Sequence, residues 1–415
     1  MTAVDTGTEA GRLVDVVVTG LGATTPLGGD VPSTWAALLA GESGVVALTA
    51  DWARDLPVRI AAPLRVDPEP LVGRVRARRL DRCQQSALVA AREAWADAGA
   101  PGVEPERLAV VVGTGTGGAL TILAQDEVRR THGARRVSPH TVPMLMPNGP
   151  AAQVAMELGA RAGAHTPVSA CASGAEAIAY GLDLIRLGRA DVVVAGGAEA
   201  TIGALPLAGF AQARALSSYE GEPADASRPF DVGRDGFVMG EGAALVVLER
   251  ADFAAARGAR AHARLAGAGV TSDAHHITAG QVEGQVRAMR AALAAAGLTG
   301  ADVDHVQAHA TSTPAGDLVE AASVADAVGT HAAVTAIKSM TGHLCGAAGA
   351  LGAIAAIRAI ADGVIPATRN LDAPDPAIML DVVTKAPRTG VWEVALTNAF
   401  GFGGHNAALV FTTAR

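Results

Sequence analysis

Residues 166–199 read TPVSACASGAEAIAYGLDLIRLGRADVVVAGGAE, and the fold turns on how this stretch is parsed. An apolar-to-small run closes at Ser169 and Ala170, Cys171 follows, and residues 172–187 set small and aliphatic side chains at helical spacing. The pattern predicts a strand-to-helix turn with Cys171 on it. At such a turn the unpaired N–H groups and the positive end of the helix dipole favour thiolate over thiol. That makes a cysteine a nucleophile near neutral pH. The competing reading is a packing thiol, since unpaired cysteine is among the most buried residue types. Flanking Ala, Ser and Gly do not decide between the two.

Working outward, residues 191–195 and 244–248 read as strands, and residues 108–113 as a buried strand. The last closes on the loop Gly113, Thr114, Gly115, Thr116, Gly117, Gly118. This loop lacks the lysine of a phosphate-binding P-loop, so it reads as a place of close backbone approach. Nearer the N-terminus, residues 14–19 (VDVVVT) form a β-branched run that Gly20 and Gly22 are expected to end, and residues 32–39 begin a helix at a Pro-Ser pair. Residues 80–98 are helical, preceded by Arg74, Arg76, Arg78, Arg79 and Arg82. This basic run is either a solvated helix face or a docking patch for an acidic partner, with Arg129 and Arg130 as further candidates.

The second half repeats the grammar. Strand 303–309 leads to turn 310–314 and helix 317–327; strand 334–337 leads to turn 338–345 and helix 346–361. Strand 394–397, the glycine-rich turn 400–406 and strand 407–411 close the chain. The expectation is a duplicated α/β fold whose turns converge at strand ends, where open α/β sheets bind ligands.

Composition sets the outer limits. The chain has 415 residues, 50% of them hydrophobic, 18% charged, and 49 glycines, which suits tightly packed small-residue helices. A formal charge of −8 gives no sign of nucleic-acid binding. Cys83, Cys171 and Cys345 are too scattered for a disulfide framework or a zinc site, so a reducing cytoplasm is the expected location. The first dozen residues lack the apolar core of a signal peptide. Alanine-rich runs such as 351–360 fall short of the roughly 20 residues of a membrane span.

Two histidines stand where a scaffold presents functional side chains. His309 ends a strand in VQAHATSTPAGD, and His343 follows a short strand in AIKSMTGHLCGAAG together with Lys338. Either alone reads as a structural, hydrogen-bonded residue as readily as a catalyst; two at strand ends of one half invite the functional reading. His165, His262, His275 and His276 lie in unremarkable surroundings.

Five ordered segments, VSACASGAEAI, RPFDVGRDGFVMGEGAALVVLE, HVQAHATSTPAGD, IKSMTGHLCGAAGA and NAFGFGGHN, resemble the elongating β-ketoacyl-acyl-carrier-protein synthases, especially the type II enzymes of actinobacteria. The resemblance runs from about Val14 to the end. It implies a thiolase-like duplicated five-layer α/β/α/β/α fold: a tail at 1–13, a half at 14–250 carrying the nucleophile, and a half at 251–415 carrying the histidines and lysine. A homodimer is implied too.

Residue by residue, the resemblance makes Cys171 the acyl-accepting nucleophile and makes His309 and His343 the pair that promotes decarboxylation and steadies the enolate. Lys338 and Glu320 become an ion pair that orients His343. Phe402 becomes the gate, its N–H joining that of Cys171 in an oxyanion hole. The implied reaction is decarboxylative condensation of an acyl thioester with malonyl-carrier in fatty acid elongation. The phosphopantetheine arm of the acyl carrier protein delivers the substrates, and no metal or redox cofactor is called for.

Two positions depart from the pattern. Ala310 stands where many members have glycine. Thr116 replaces a larger aliphatic residue against the acyl pocket, together with Phe402, and leaves chain length open. Cys83 and Cys345 match no catalytic position and read as packing. Three alternatives remain: a ketosynthase of secondary metabolism, a degradative thiolase, and a non-condensing chain-length partner subunit. The thiolase needs a late cysteine that NAFGFGGHN lacks, and the partner subunit lacks the nucleophile that Cys171 supplies.

Overall fold

A computed structural model describes residues 14–414, so the tail expected at 1–13 lies outside the described residues. The duplication is explicit in the strand pairing. In the first half the strand order is Gly163–His165, Leu108–Gly113, Val192–Glu199, Gly242–Arg250, Val16–Thr24. In the second it is Ala333–Thr335, His305–Gln307, Val394–Gly401, His405–Thr412, Ala263–Ser272, with Asp381–Val382 added at the outer edge. In both halves the first three strands of that order are mutually parallel, and the last two join antiparallel. The halves meet where Val17 and Val18 pair antiparallel with Arg264 and Ala263.

Alternation along the strands builds the layers. Val193 and Ala195 pack with Ala175, Ile178 and Leu182 of the helix Ser173–Arg186, while Val192 and Val194 pack on the other face with Ala87, Leu88 and Ala91 of the helix Arg82–Asp97. In the second half Ala395 and Leu409 join the same inner core as the helix Ala348–Asp362, and Leu396 and Val410 face Ala288, Met289 and Ala292 of Val282–Ala296. The result is outer helix, sheet, paired inner helices, sheet, outer helix. This is the five-layer thiolase-like arrangement that the resemblance implied.

The inner helices approach closely because their contact is made of small residues. A Cβ placed on Gly349 would stand 2.9 Å from Ala175 Cβ, tighter than ordinary packing. The segment Cys345–Asp362 spans 18 residues with mean hydropathy 1.4, long and apolar enough to cross a membrane, yet 83% of it is buried inside the protein. It is a core helix.

Gly20 and Gly22 do not end their strand. Both lie inside Val16–Thr24, where a Cβ on Gly20 would meet Ala94 O at 2.1 Å and one on Gly22 would meet Ala90 O at 2.0 Å. They are gaps through which the helix Arg82–Asp97 reaches the sheet. Past Val18 this strand has left its partner in the second half. Asp97 and Glu93 of that helix instead accept the N–H groups of Leu21 at 2.9 Å and Ala23 at 2.7 Å.

Candidate active site

The turn before the inner helix takes its shape from its own side chains. Cys171 is the middle residue of a one-turn 3-10 helix, Ala170–Ala172, that leads directly into Ser173–Arg186. Ser173 Oγ accepts the N–H of Ser169 at 2.9 Å and donates to the carbonyl of Ala170 at 2.7 Å. Ala170 is thereby held at φ 50°, a left-handed conformation unusual for a residue with a Cβ. The second half repeats this device: Cys345 has φ 44° at the head of the 3-10 turn Cys345–Ala347, which leads into Ala348–Asp362. Cys345 is the structural counterpart of Ala170, and the counterpart of Cys171 is Gly346.

The N–H groups of Phe402 and of Cys171 itself both lie against the Cys171 sulfur and lower its pKa, as does the charge of Lys338. Burial is the larger influence and pushes the thiol up to about 11, with the carboxylate of Glu199 adding to it. Cys171 is only partly buried by area because it opens onto a cavity, but the walls surround the sulfur and strip it of bulk water. The expected preference for thiolate at this turn is therefore outweighed in the resting protein.

His309 and His343 face one another with ring centroids 5.4 Å apart and planes at 86°. Phe400 flanks the first ring at 5.9 Å and Phe237 the second at 5.3 Å. His343 Nδ1 and Nε2 and His309 Nδ1 have no hydrogen-bond partner among the described residues. Burial, reinforced by the Lys338 charge, holds both imidazoles well below their usual range, so they are neutral and each offers one N–H and one lone pair.

Glu320 and Lys338 grip the backbone at His309 rather than each other. Glu320 accepts the N–H groups of His309 at 2.7 Å and Ala310 at 2.5 Å, and Asn398 donates to it at 3.2 Å. Lys338 Nζ donates to the carbonyl of His309 at 2.5 Å. No ion pair within 4 Å joins the two, which corrects the expectation that they pair to orient His343. The short reach from the turn Lys338–Thr341 to the end of strand His305–Gln307 takes the ammonium to a carbonyl first. Desolvation lowers Lys338 to about 8 against the raising influence of Glu320. His343 is fixed by its own backbone, donating to Val238 O at 2.7 Å and accepting from Gly240 at 2.9 Å.

Cys171, His309, His343, Glu320, Thr116 and Phe402 all line one cavity of about 500 Å³, with Lys338 behind its wall. Phe402 stands at the cavity with 39% exposure, its ring 6.4 Å from Phe210. The sequence reading missed Glu199, Phe210, Phe237 and Cys345, which line the same space. Glu199 had one legible signal: a carboxylate ending an otherwise apolar strand among glycines.

The candidate docking arginines divide. Arg76 pairs with Glu157, Arg82 with Glu241 and Asp67, and Arg129 and Arg130 with Asp126 and Glu127. Arg74, Arg78 and Arg79 are exposed.

Residues 14–254 match the model of the β-ketoacyl synthase N-terminal domain, and residues 262–372 that of its C-terminal domain. The 3-oxoacyl-[acyl-carrier-protein] synthase 2 of Mycobacterium bovis is 46% identical over 402 residues, covering 95% of this chain and 96% of that one. Among solved structures, the ishigamide ketosynthase/chain length factor superposes with TM-score 0.91 at 35% identity, covering 97% of this chain and all of that one. A type II polyketide synthase ketosynthase in complex with its acyl-carrier protein, bound to a hexaketide, superposes with TM-score 0.89 at 28% identity and covers 97% of this chain.

Proposed function

The chain belongs to the β-ketoacyl synthase family, and on that premise we propose how its residues perform the elongating condensation. The reaction joins an acyl group held as a thioester on the enzyme to the two-carbon unit of malonyl-acyl-carrier-protein, giving a 3-oxoacyl-carrier chain, CO₂ and free carrier. The observation that carries the residue assignments is the convergence of the Cys171 thiol, the two backbone N–H groups that lie against its sulfur, and two neutral imidazoles on one cavity.

In the first step Cys171 attacks the thioester carbonyl of the acyl-carrier. Its proton passes to a neutral imidazole of the pair and is returned to the departing carrier sulfur, so the step is neutral overall. The negative oxygen of the tetrahedral intermediate is met by the N–H groups of Phe402 and Cys171. Donors of this kind are fixed before the charge develops, and losing one costs about 10²–10³ in rate.

In the second step malonyl-carrier occupies the same site. Its carboxylate carbon–carbon bond breaks, CO₂ leaves, and the electron pair becomes an enolate. The enolate oxygen needs donors that do not surrender a proton to carbon, which suits neutral imidazole N–H groups better than imidazolium. His309 and His343 fill that role, and Glu320 and Lys338 are positioning residues that hold the His309 peptide. The carbanion then attacks the Cys171 thioester carbon, and the Cys171 sulfur leaves as thiolate and takes up one proton from solvent to restore the resting thiol.

The acyl carrier protein is the partner, and a cytoplasmic homodimer is the proposed working form. Among the described residues, strand Gly163–His165 is paired on one side only, and Val142 and Val168 stand exposed at 61% and 52%. A solution mass near twice 41.5 kDa is expected from light scattering. Primary fatty acid elongation is favoured over secondary metabolism because the 46%-identical relative is a 3-oxoacyl-[acyl-carrier-protein] synthase 2. Incubation with acyl- and malonyl-carrier tests the proposal. It predicts a 3-oxoacyl-carrier two carbons longer plus CO₂, and its loss in H309A and H343A; full turnover in those variants would sink the histidine assignment.

A further inference from the structure

A second thiol shares the cavity of Cys171, and the condensation makes no use of it. Cys345 heads the 3-10 turn Cys345–Ala347, which packs against the nucleophile turn Ala170–Ala172. The buried carboxylate of Glu199 braces the two turns together. It accepts Gly346 N–H at 3.0 Å from one side and, from the other, Gly115 N–H at 2.7 Å, Thr116 Oγ1 at 2.8 Å and Thr114 Oγ1 at 3.2 Å. Gly115 in turn lies against Ala170, whose Cα would stand 3.9 Å from a Cβ placed on the glycine. The neighbours in sequence of both thiols are thus fixed through one carboxylate.

The groups that meet the Cys345 sulfur are cavity residues. Cys345 is partly exposed between the buried Leu344 and Gly346, and it lines the cavity with Cys171, Thr201 and His343. Its Sγ lies 3.8 Å from the carbonyl oxygen of His343 and within reach of the Thr201 hydroxyl. Burial raises this thiol well above its usual range, and the nearness of Cys171 raises it further. Both sulfurs therefore rest as S–H. Cys83 lies outside the cavity, fully buried beside Thr114.

We propose that Cys171 and Cys345 form a dithiol site for a trivalent organoarsenical, whose arsenic bridges the two sulfurs and whose carbon substituent occupies the acyl cavity. This goes beyond the condensing reading and does not depend on it. Soft sulfur favours soft acceptor atoms, and arsenic carrying one carbon group needs two sulfurs and no more. Among the described residues no group of three or more His, Cys, Asp or Glu could hold a metal ion, so the pair suits such an acceptor. A bridging atom also spares the sulfurs the direct contact and narrow geometry of a disulfide. With phenylarsine oxide the arsenic–oxygen bond breaks, two arsenic–sulfur bonds form, and both S–H protons leave with the oxygen as water. Arsenic stays trivalent, so no oxidant enters. The phenyl ring has the apolar wall of Ala119, Pro206, Phe210 and Phe237 to pack against.

The test loads the full chain with an equimolar amount of phenylarsine oxide, adds excess β-mercaptoethanol, and follows release by native intact mass. Wild type is compared with C345S, C171A and C83S. A single sulfur surrenders arsenic to a competing monothiol, whereas a second sulfur recaptures it intramolecularly. The expected result is one adduct on the wild type and on C83S, released about 10²-fold more slowly than from C345S or C171A. The dithiol 2,3-dimercaptopropanol should strip it from all four. C171A removes the pair from the other side, so the comparison stands even where replacement at Cys345 disturbs the fold. Release from the wild type as fast as from C171A, slow release that persists without either cavity cysteine, or slow release that C83S abolishes overturns the proposal.

Discussion

Lys338 Nζ lies 2.5 Å from the carbonyl oxygen of His309, so the buried ammonium holds the peptide of the first imidazole rather than the carboxylate of Glu320. Glu320 grips the same peptide from its N–H side. The proposed enolate donor is thus clamped through its backbone, leaving its ring nitrogens for the substrate.

Replacing Lys338 by Met removes one jaw of the clamp and a nearby positive charge. Turnover should fall about 10²-fold, the scale of losing one positioned electrostatic contact. Lys338 is lowered by burial from 10.5 to about 8, so between those values the unfolded chain binds the extra proton and wild-type stability gains as pH rises. Unfolding free energies of wild type and K338M from urea titrations should therefore diverge in favour of the wild type between pH 7 and pH 10 by at most about 3 kcal/mol. A difference that does not change with pH would mean that the ammonium is not desolvated.

With its thiol at about 11, Cys171 is mostly protonated in the resting enzyme. Alkylation by iodoacetamide should quicken about tenfold per pH unit between pH 7 and 10, following the thiolate fraction. K338M should react more slowly at pH 7, because the cation that favours thiolate is gone, and the gap should close above pH 8 as Lys338 loses its charge in the wild type. A plateau near pH 7 in the wild type would show that the turn and its N–H groups overcome burial.

The exposed arginines Arg74, Arg78 and Arg79 should serve the carrier better than Arg129 and Arg130, whose charge is already met by Asp126 and Glu127. Reversing the first three to Glu should raise KM for acyl-carrier about tenfold at low salt, with the effect fading as salt screens the patch. The double reversal of Arg129 and Arg130 should do less. An unchanged KM in the triple variant would move the docking face elsewhere.

Much of this was legible in the chain. Leu108–Gly113 was read to the residue, because a β-branched run buried on both faces leaves no other pattern. The Cys171 turn and its helix were legible because small residues at helical spacing start abruptly after it. Other elements were not. Gly20 and Gly22 look like strand breakers until a helix is placed against them, and Ala263–Ser272, ARLAGAGVTS, is too rich in Ala and Gly to announce a strand. Glu199 escaped because its four donors come from two turns more than 200 residues apart, and only folding brings Thr114, Thr116 and Gly346 to one carboxylate. The Glu320 to Lys338 pairing failed for a similar reason: sequence supplies opposite charges, but the backbone decides which acceptor is nearer.

The most direct test of the central claim is intact-protein mass spectrometry of the wild type and Cys171→Ala after mixing with acyl-carrier thioesters, followed by malonyl-carrier. The account predicts a mass gain of one acyl group on the wild type, absent in the variant, and its discharge as a 3-oxoacyl-carrier when malonyl-carrier is added. An acyl adduct that persists in Cys171→Ala, or no adduct on the wild type with any chain, would contradict it.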